Sequence, residues 1–254
     1  MKEQWRFLTT GYNNAFFNMA LDYAILSANR ERKVPPTVRF YGWMPSGISI
    51  GYFQSLKEEV DIEQCKNLGV DCVRRITGGG AVFHEKEVTY SIVVPESHPS
   101  IPKNILKSYS RICGAIIKGL DKLDIESKYM PINDIVANGK KISGNAQTRK
   151  ENTVLQHGTI ITDVDVEKMF SLLKVPNEKI KDKLIADVKQ RVTSIKHEIG
   201  KEPLFGDVVN ALKVGFEEEF NVDLVKGEVT EFEKNLAKSY ESNRFSKKEW
   251  NFRR

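Results

Sequence analysis

The chain has 254 residues, of which 40% are hydrophobic and 29% are charged, so it is long enough to bury a substantial core in one or two domains. Its net charge of +5 is spread along the sequence, which suits anionic small molecules or acidic protein partners and is too diffuse to favour nucleic acid. The sequence contains no apolar run long enough for a membrane span and no signal-peptide core at its N-terminus. The three cysteines, Cys65, Cys72 and Cys113, show no CxxC spacing, which predicts reduced thiols in the cytoplasm and no zinc site.

The first half of the chain predicts an α/β fold in which helices and strands alternate irregularly. Apolar residues at helical or alternating spacing indicate the elements. In chain order they are a helix over 18–29, strands over 37–43 and 48–52, a helix around 58–68, strands over 71–75 and 89–94, and a helix over 105–123.

The second half contains the strongest turn signal of the sequence. Asn138 and Gly139 separate a strand over 134–137 from a returning strand over 140–144, which predicts a tight hairpin. A further strand is predicted over 154–161, a short helix ending near Leu173, and a helix over 206–220. Since no repeat or linker is evident, we expect a single domain over 1–254 with a more helical part from about 165 to 254.

Residues 74–84 are the most informative segment, because they read RRITGGGAVFH. Three consecutive glycines are costly to order, and without Cβ atoms their backbone can turn N–H groups directly toward phosphate oxygens. Arg74 and Arg75 add forked donors that suit phosphate or carboxylate. The segment predicts either a site for an anionic, nucleotide-like ligand or a glycine-rich hairpin with solvated arginines.

Several segments in the same order resemble one family. Residues 74–84 resemble the RRxxGGGxVxH signature of lipoate-protein ligases and the related lipoyl or octanoyl transferases. Residues 133–146 resemble the family's ND-hairpin-KxSGxA segment, and residues 156–159 its second histidine motif. Residues 191–195 and 249–252 recur in the same order, so the resemblance covers nearly the whole chain.

The resemblance implies a fold and an activity. The fold is a mixed large sheet with a smaller sheet and flanking helices, as in the catalytic domain of biotin and lipoate protein ligases. The activity is activation of lipoate or octanoate with ATP and Mg²⁺ to an acyl adenylate, followed by transfer to a lysine of a carrier domain. The resemblance therefore predicts that the protein is a lipoate-protein ligase.

Lys141 is the predicted catalytic residue. It lies two residues past the tight turn, where a fixed ammonium can stabilise charge that grows on the acyl carbonyl oxygen and the phosphate; the alternative is a solvated hairpin lysine. Successive strand residues point to opposite faces, so Lys140 fits the solvated role better. Asp134, on the opposite arm of the hairpin, is predicted to position Mg²⁺ or the attacking amine, or merely to cap the turn.

The remaining predicted site residues divide into two groups. The first group holds the adenylate and its phosphate, with the main chain of two residues suiting an adenine edge, although core packing explains those two equally well. The second group lines the lipoyl or acyl pocket, although aromatic strands and lone histidines are more often structural. The first group is Arg74, Arg75, Thr77, Gly78, Gly79, Gly80, Val82, Phe83 and Asp134, and the second is Tyr41, Trp43, Gly80, His84, His157 and Gly158.

An alternative hypothesis, with the same fold, is that the chain is an octanoyltransferase. Octanoyltransferases move an acyl group from a carrier protein, without ATP, through a thioester on their own cysteine, and residues 38–43 and 84–91 look like that branch. That route requires a thiolate near the lysine, yet the chain has no cysteine after Cys113. We interpret all three cysteines as small buried hydrophobes, and their positions favour the adenylate route.

A third reading is a non-catalytic module that binds a lipoylated domain or an acyl adenylate; the presence of Lys141 argues against it. The expected partner is the lipoyl domain of a 2-oxoacid dehydrogenase E2 or the glycine-cleavage H protein. Many lipoate ligases carry a further accessory domain, which does not follow residues 249–252 here. We therefore expect that a separate accessory subunit is needed for adenylation.

Overall fold

The computed structural model describes residues 2–174 and 181–254, and it confirms the predicted α/β class. The strands form a mixed eight-stranded sheet and a separate three-stranded sheet. In chain order they are β1 (Glu3–Asn13), β2 (Thr37–Trp43), β3 (Gly47–Ile50), β4 (Asp71–Arg74), β5 (Val82–His84), β6 (Glu87–Pro95), β7 (Ser127–Met130), β8 (Asp134–Ala137), β9 (Lys140–Lys150), β10 (Thr153–Ile161) and β11 (Val222–Lys226).

The large sheet has the order β11-β1-β2-β6-β10-β9-β8-β7, and the small sheet has the order β4-β3-β5. In the large sheet, β1 pairs in parallel with both β11 and β2, and the remaining pairs are antiparallel. Every residue of β2 is buried, because both faces of the sheet are covered by helices.

The helices cover the two sheets from several sides. They are α1 (Ala15–Arg30), α2 (Leu56–Glu59), α3 (Ile62–Asn67), α4 (Ile105–Asp121), α5 (Val166–Leu172), α6 (Lys181–Arg191), α7 (Ile195–Ile199), α8 (Phe205–Phe220), α9 (Glu231–Tyr240) and α10 (Lys248–Asn251), with a π-helical turn at Glu241–Phe245. Helices α4 and α8 pack together over one face of the large sheet, and α1 with α9 covers the other. A third apolar cluster joins the small sheet to α2, α3 and α5.

Local sequence chemistry fixes the ends of these elements. Asn14 caps α1 by accepting a hydrogen bond from the amide of Phe17 at 2.7 Å. Thr230 and Glu233 form a reciprocal capping box at the start of α9. The predicted hairpin is confirmed, since Asn138 and Gly139 both have positive φ, at 48° and 76°, as a primed two-residue turn requires.

Several elements differ from the prediction. The sequence did not predict β1, β5, β7 or β11, and the helix expected around 58–68 is two short helices separated at Val60, which is extended. Strand β9 runs on to Lys150 instead of ending at Gly144, because its polar residues pair with β10. The helical C-terminal part is present in 181–254, apart from β11, whereas its residues 175–180 lie outside the described residues.

Within residues 2–174 and 181–254, no helix combines the length and apolar character needed to cross a bilayer.

Candidate active site

A cavity of about 320 Å³ lies between the large sheet and the small sheet. Its wall is formed by β2, β3, the glycine turn, β5, β9 and β10. The structure brings together in this wall most of the residues that the sequence predicted for a site. They are Tyr41, Trp43, Arg75, Gly79, Gly80, Val82, Phe83, His84, Lys141, His157 and Gly158.

Lys141 lies at the cavity wall, whereas Lys140 does not. A β-bulge at Ile142 interrupts the pairing of β8 and β9 directly beside Lys141. The main-chain oxygen of Lys141 accepts a hydrogen bond from the amide of Thr193 at 2.9 Å, so the segment 191–195 holds the lysine backbone. The placement agrees with the prediction, while the role of Lys141 stays a prediction.

The side chain of Lys141 is fixed by two neighbours. Its Nζ lies 2.7 Å from Asp134 Oδ1, and both side chains are about one-third exposed. That oxygen accepts no aligned hydrogen bond, so the contact is an ion pair set by distance. The lysine also lies across Gly144, because a Cβ built there would stand 2.9 Å from Nζ. An ammonium is thereby held at one place on the cavity wall.

Arg75 is buried and shapes the glycine turn. It donates from Nη2 to the main-chain oxygens of Gly78 and Gly80, both at 2.7 Å, and from Nη1 to the main-chain oxygen of Ser49 at 2.9 Å. Further bonds run to Ser49 Oγ and Thr77 Oγ1, so all five N–H donors of the guanidinium are used. Burial lowers the pKa of Arg75 to about 10.

The glycine turn presents bare main chain to the cavity. Gly79 has a positive φ of 97°, and Gly51 must also lack a side chain, because its Cβ would meet the oxygen of Gly79 at 2.0 Å. Within the described ranges, the amides of Gly78, Gly79 and Gly80 make no hydrogen bond to other residues. These N–H groups are therefore available to an anionic oxygen.

The structure does not bring Arg74 to the cavity, contrary to its predicted role in phosphate binding. Its guanidinium is buried and donates to the main-chain oxygens of Gly51, Tyr52, Gln54, Trp250 and Asn251. Arg74 is thus a structural residue that ties β4 to residues 250–251. Thr77, Gly78 and Asp134 also stay outside the cavity wall, although each contacts a residue in it.

His84 belongs to a buried network of hydrogen-bonded side chains, which was not predicted from the sequence. Its Nε2 lies 2.8 Å from Ser49 Oγ, and its Nδ1 lies 2.7 Å from Glu87 Oε1. The Trp43 ring stacks on the imidazole at 3.9 Å, and Trp43 Nε1 donates to Thr89 Oγ1 at 2.8 Å. Ser49 and Glu87 both line the cavity, and no local motif marks them, because the three partners come from separate strands.

His157 belongs to a second buried chain. Its Nε2 lies 2.7 Å from Thr77 Oγ1, and its Nδ1 lies 3.2 Å from Asp22 Oδ2. Burial lowers the pKa of His157, and the neighbouring Asp22 opposes that shift only in part. The carboxylate of Asp22 also accepts hydrogen bonds from Arg39 Nη1 at 2.7 Å and from Tyr41 OH at 3.0 Å. The neutral imidazole of His157 therefore lies in the cavity wall and connects it to the buried network of Asp22.

Close packing explains why residue 158 is a glycine. It also involves two asparagines of the cavity wall that were not predicted from the sequence. A Cβ at Gly158 would stand 2.2 Å from Asn145 Oδ1. That oxygen accepts a hydrogen bond from Tyr90 OH at 2.6 Å, and Asn145 Nδ2 donates to the main-chain oxygen of Asn133 at 2.9 Å. Asn133 and Asn145 both line the cavity beside Lys141. Phe40, which lies between Arg39 and Tyr41 on β2, packs in the core under α8 and does not line the cavity.

The three cysteines lie away from the cavity wall. Cys65 and Cys113 are buried, as predicted, whereas Cys72 is only partly buried. Burial raises the pKa of the Cys113 thiol to about 12, which leaves it protonated near neutral pH. No cysteine of the chain is therefore placed as a nucleophile at Lys141.

The site does not fit a protein-held Mg²⁺. Asp134 is already paired with the Lys141 ammonium, and no group of three or more potential metal-ligating side chains occurs in residues 2–174 and 181–254. Mg²⁺ favours several oxygen ligands in octahedral geometry.

Comparison with known proteins finds similarity to octanoyltransferases and to lipoate protein ligases. It is 39% identical to octanoyltransferase LipM of Geobacillus kaustophilus, with 100% of this chain and 99% of the relative covered. It is 33% identical to octanoyltransferase LipM of Bacillus subtilis over the same shares. Its structure resembles the bi-partite lipoate protein ligase of Thermoplasma acidophilum with a TM-score of 0.88 and 29% identity, covering 98% of this chain and 96% of that one.

These relatives correct the predicted activity. The prediction of an ATP-dependent lipoate ligase is wrong, because curated relatives that match this chain essentially from end to end are octanoyltransferases. The motifs that suggested a ligase resemble both branches, and the position of the cysteines alone decided between them. ATP binding and an acyl adenylate therefore lose their support, while an enzyme of the wider ligase and transferase superfamily is retained.

The family itself is established independently of that choice. The family model described as the lipoyl protein ligase A/B catalytic domain matches residues 14–217, which include the cavity and both histidine chains. The mixed large sheet and small sheet found here are also those of the solved lipoate ligase. The chain belongs to the lipoyl protein ligase A/B catalytic domain family.

Proposed function

We propose that this protein transfers an octanoyl group from a thioester on a carrier protein to the ε-amino group of a lysine on a lipoyl domain. The similarity to octanoyltransferases over the full chain supports this choice. A thioester is already activated for acyl transfer, so the reaction uses no ATP.

The observation that carries the proposal is the placement of Lys141. A fixed ammonium at the cavity wall suits the oxygen of an acyl group under attack, where negative charge develops in the transition state. Asp134 holds the ammonium in place at 2.7 Å, and Gly144 leaves the space in which the lysine side chain lies. The free amides of the glycine turn offer a second set of donors for the same charge.

The cavity suits a medium-length acyl chain. Its volume of about 320 Å³ lies at the small end of ordinary ligand pockets. Met19, Val82, Ile161 and Met169 contribute apolar wall. Burying the methylenes of an octanoyl chain contributes about 5 kcal/mol at roughly 0.8 kcal/mol for each group, which is enough to hold the donor without a polar anchor at its far end.

The acceptor in this proposal is the lipoyl domain of a 2-oxoacid dehydrogenase E2 or the glycine-cleavage H protein, in the cytoplasm. The net charge of +5 suits acidic carrier and acceptor domains. An accessory subunit was expected for adenylation, so it has no part in a reaction that starts from a thioester.

The test is transfer by the purified chain from an octanoylated carrier protein to a lipoyl domain, followed by intact-protein mass spectrometry without ATP. We expect octanoylation of one lysine, a loss of about 10²-fold or more for Lys141→Ala, and little change for the neighbouring Lys140→Ala. Modification that appears only with free lipoate and ATP contradicts the proposal. Binding of the lipoyl domain without any transfer supports a non-catalytic module instead.

A further inference from the structure

The proposed reaction leaves open which group attacks the thioester. The resemblance implies a cysteine for this step in octanoyltransferases, but none of the three cysteines lines the cavity. Cys113 is a buried residue of α4 in the core, and Cys65 lies in the cluster between the small sheet and its helices. A nucleophile in this chain must therefore be sought among the other side chains of the cavity wall.

Ser49, His84 and Glu87 form a hydroxyl–imidazole–carboxylate chain in that wall. Ser49 Oγ lies 2.8 Å from His84 Nε2, and His84 Nδ1 lies 2.7 Å from Glu87 Oε1. All three side chains are buried and line the cavity. A carboxylate on Nδ1 fixes the tautomer in which Nε2 accepts a proton, so the serine hydroxyl donates to the histidine.

The surroundings hold this chain rigidly. The Trp43 ring stacks on the His84 imidazole with an angle of 11° between the planes, which fixes the ring orientation. Thr89 Oγ1 donates to Glu87 Oε1 at 2.5 Å, and this supports the carboxylate. Rigid support of this kind is what a pre-aligned nucleophile and base require.

Arg75 also links the serine to the glycine turn, whose amides make no hydrogen bond to other described residues. One guanidinium, that of Arg75, donates from Nη1 to Ser49 Oγ at 3.1 Å and from Nη2 to the main-chain oxygens of Gly78 and Gly80 at 2.7 Å. The two guanidinium nitrogens belong to one planar fork, so the serine and the turn are close neighbours. Donors for an oxyanion are thus available next to the hydroxyl.

The hydrogen-bonded network of Thr77, His157 and Asp22 has the same arrangement of groups, but its hydroxyl has no access to the cavity. Thr77 Oγ1 lies 2.7 Å from His157 Nε2, and His157 Nδ1 lies 3.2 Å from Asp22. Thr77 is fully buried and does not line the cavity, however. Of these two networks, the one at Ser49 combines the three groups with a place in the cavity wall.

We propose that Ser49 is the acyl-accepting nucleophile of this enzyme, with His84 as its base and Glu87 as a positioning residue. The inference rests on the proposed octanoyl transfer from a thioester. Ser49 Oγ attacks the thioester carbonyl carbon while its proton passes to His84 Nε2. The C–S bond then breaks, and the carrier thiolate takes that proton. An octanoyl ester on Ser49 remains.

The second half of the cycle returns the serine to its initial state. The neutral amine of the acceptor lysine attacks the ester carbonyl and gives a proton to His84 Nε2. The C–O bond breaks, Ser49 Oγ takes the proton from His84, and an amide is released. Lys141 and the glycine amides stabilise the oxyanion of both halves. The net change is thioester plus amine to amide plus thiol.

The test incubates the full chain with octanoylated carrier protein in the absence of an acceptor. We expect the enzyme to gain the mass of one octanoyl group, mapped by peptide sequencing to Ser49 and stable to neutral hydroxylamine, as an oxygen ester is. Adding a lipoyl domain should discharge the ester. Ser49→Ala should abolish the adduct and lower transfer by about 10³-fold or more.

Ser49→Cys keeps the proposal testable if the alanine variant folds poorly. It should form an adduct that neutral hydroxylamine cleaves, because the ester has become a thioester. Glu87→Gln should lower kcat of transfer with little change in KM, since the carboxylate holds the His84 tautomer that accepts the serine proton. Ser108→Ala is the matched control, because Ser108 is a buried, hydrogen-bonded serine in α4 outside the cavity wall.

An adduct on any cysteine overturns the assignment. So does full transfer by Ser49→Ala, or sequential kinetics in which donor and acceptor must both bind before any thiol is released. These outcomes leave octanoyl transfer itself intact. If the wild-type chain transfers nothing from the thioester, the proposed function fails instead, which separates the two conclusions.

Discussion

Replacing Gly144 by alanine tests whether the position of Lys141 matters beyond its charge. A Cβ at Gly144 would stand 2.8 Å from Lys141 Cε and 2.9 Å from its Nζ. Ordinary contact begins near 3.4 Å, so the end of the lysine must move by at least half an ångström. Because the clash is with the flexible end of a side chain, the fold should accept the substitution.

The magnitude follows from how steeply catalysis depends on placement. A displacement of about 1 Å in a catalytic group can lower a rate by about 10²-fold. We therefore expect Gly144→Ala to lower octanoyl transfer by about 10-fold to 10²-fold, while the free energy of unfolding changes by less than about 1 kcal/mol. For a domain of this size, such a change shifts Tm by only about 2–4 °C.

The assay measures initial rates of octanoyl transfer to a lipoyl domain, alongside thermal unfolding by circular dichroism. Gly206→Ala is the control, because a Cβ at that exposed position in α8 meets nothing within 4 Å. It should keep the wild-type rate and gain a little stability from the better helix propensity of alanine. A wild-type rate for Gly144→Ala would refute the idea that the fixed position of the Lys141 ammonium drives the reaction.

Three further predictions concern charge and burial. Asp134→Asn should lower transfer by about 10-fold with little loss of stability, because exposed ion pairs contribute only about 0–1 kcal/mol to folding; an unchanged rate would contradict a positioning role for Asp134. Arg74→Met leaves the main-chain oxygens around residues 51–54 and 250–251 without their donor, so we expect a loss of about 3 kcal/mol or more, seen as a lower Tm and a lower midpoint in urea. A variant as stable as the wild type would show that those oxygens find other partners. Burial lowers the pKa of His157 below its ordinary value of 6.5, so the unfolded chain binds that proton first as the pH falls. The stability due to neutral His157 is therefore present above pH 6.5 and is lost as the pH falls below that value; unfolding curves for His157→Gln should show a weaker decline over the same interval.

The sequence predicted the parts of the fold that depend on local chemistry. A two-residue hairpin turn requires positive φ at both positions, and Asn138 and Gly139 adopt such angles readily. This local preference predicted the position of the hairpin, and with it the strand that carries Lys141. Strand β11 was missed because its partner β1 lies more than 200 residues earlier, and nothing local indicates the pairing. Strand β1 itself was missed because Trp5 and Leu8 face opposite sides of a sheet that is covered on both faces, which removes the alternation.

The site shows the same division between local and distant information. Strand alternation separated Lys140 from Lys141, and it separates Arg74 from Arg75 in the same way, although we had placed both arginines at the ligand. Ser49 and Glu87 could not be found from the sequence, since their hydrogen bonds to His84 depend on how three strands meet. The activity was misjudged because the positions of the cysteines alone decided between two branches that share the same motifs.

The bonds from Arg74 to Trp250 and Asn251 also constrain the order of events during synthesis. Strand β4 leads directly into the glycine turn, yet two of the five main-chain oxygens that accept from the Arg74 guanidinium lie 176 and 177 residues further along the chain. A nascent chain that ends at residue 80 therefore lacks two of the acceptors of this guanidinium. Strand β4 therefore gains its full set of bonds through Arg74 only after residues 250–251 have been synthesised.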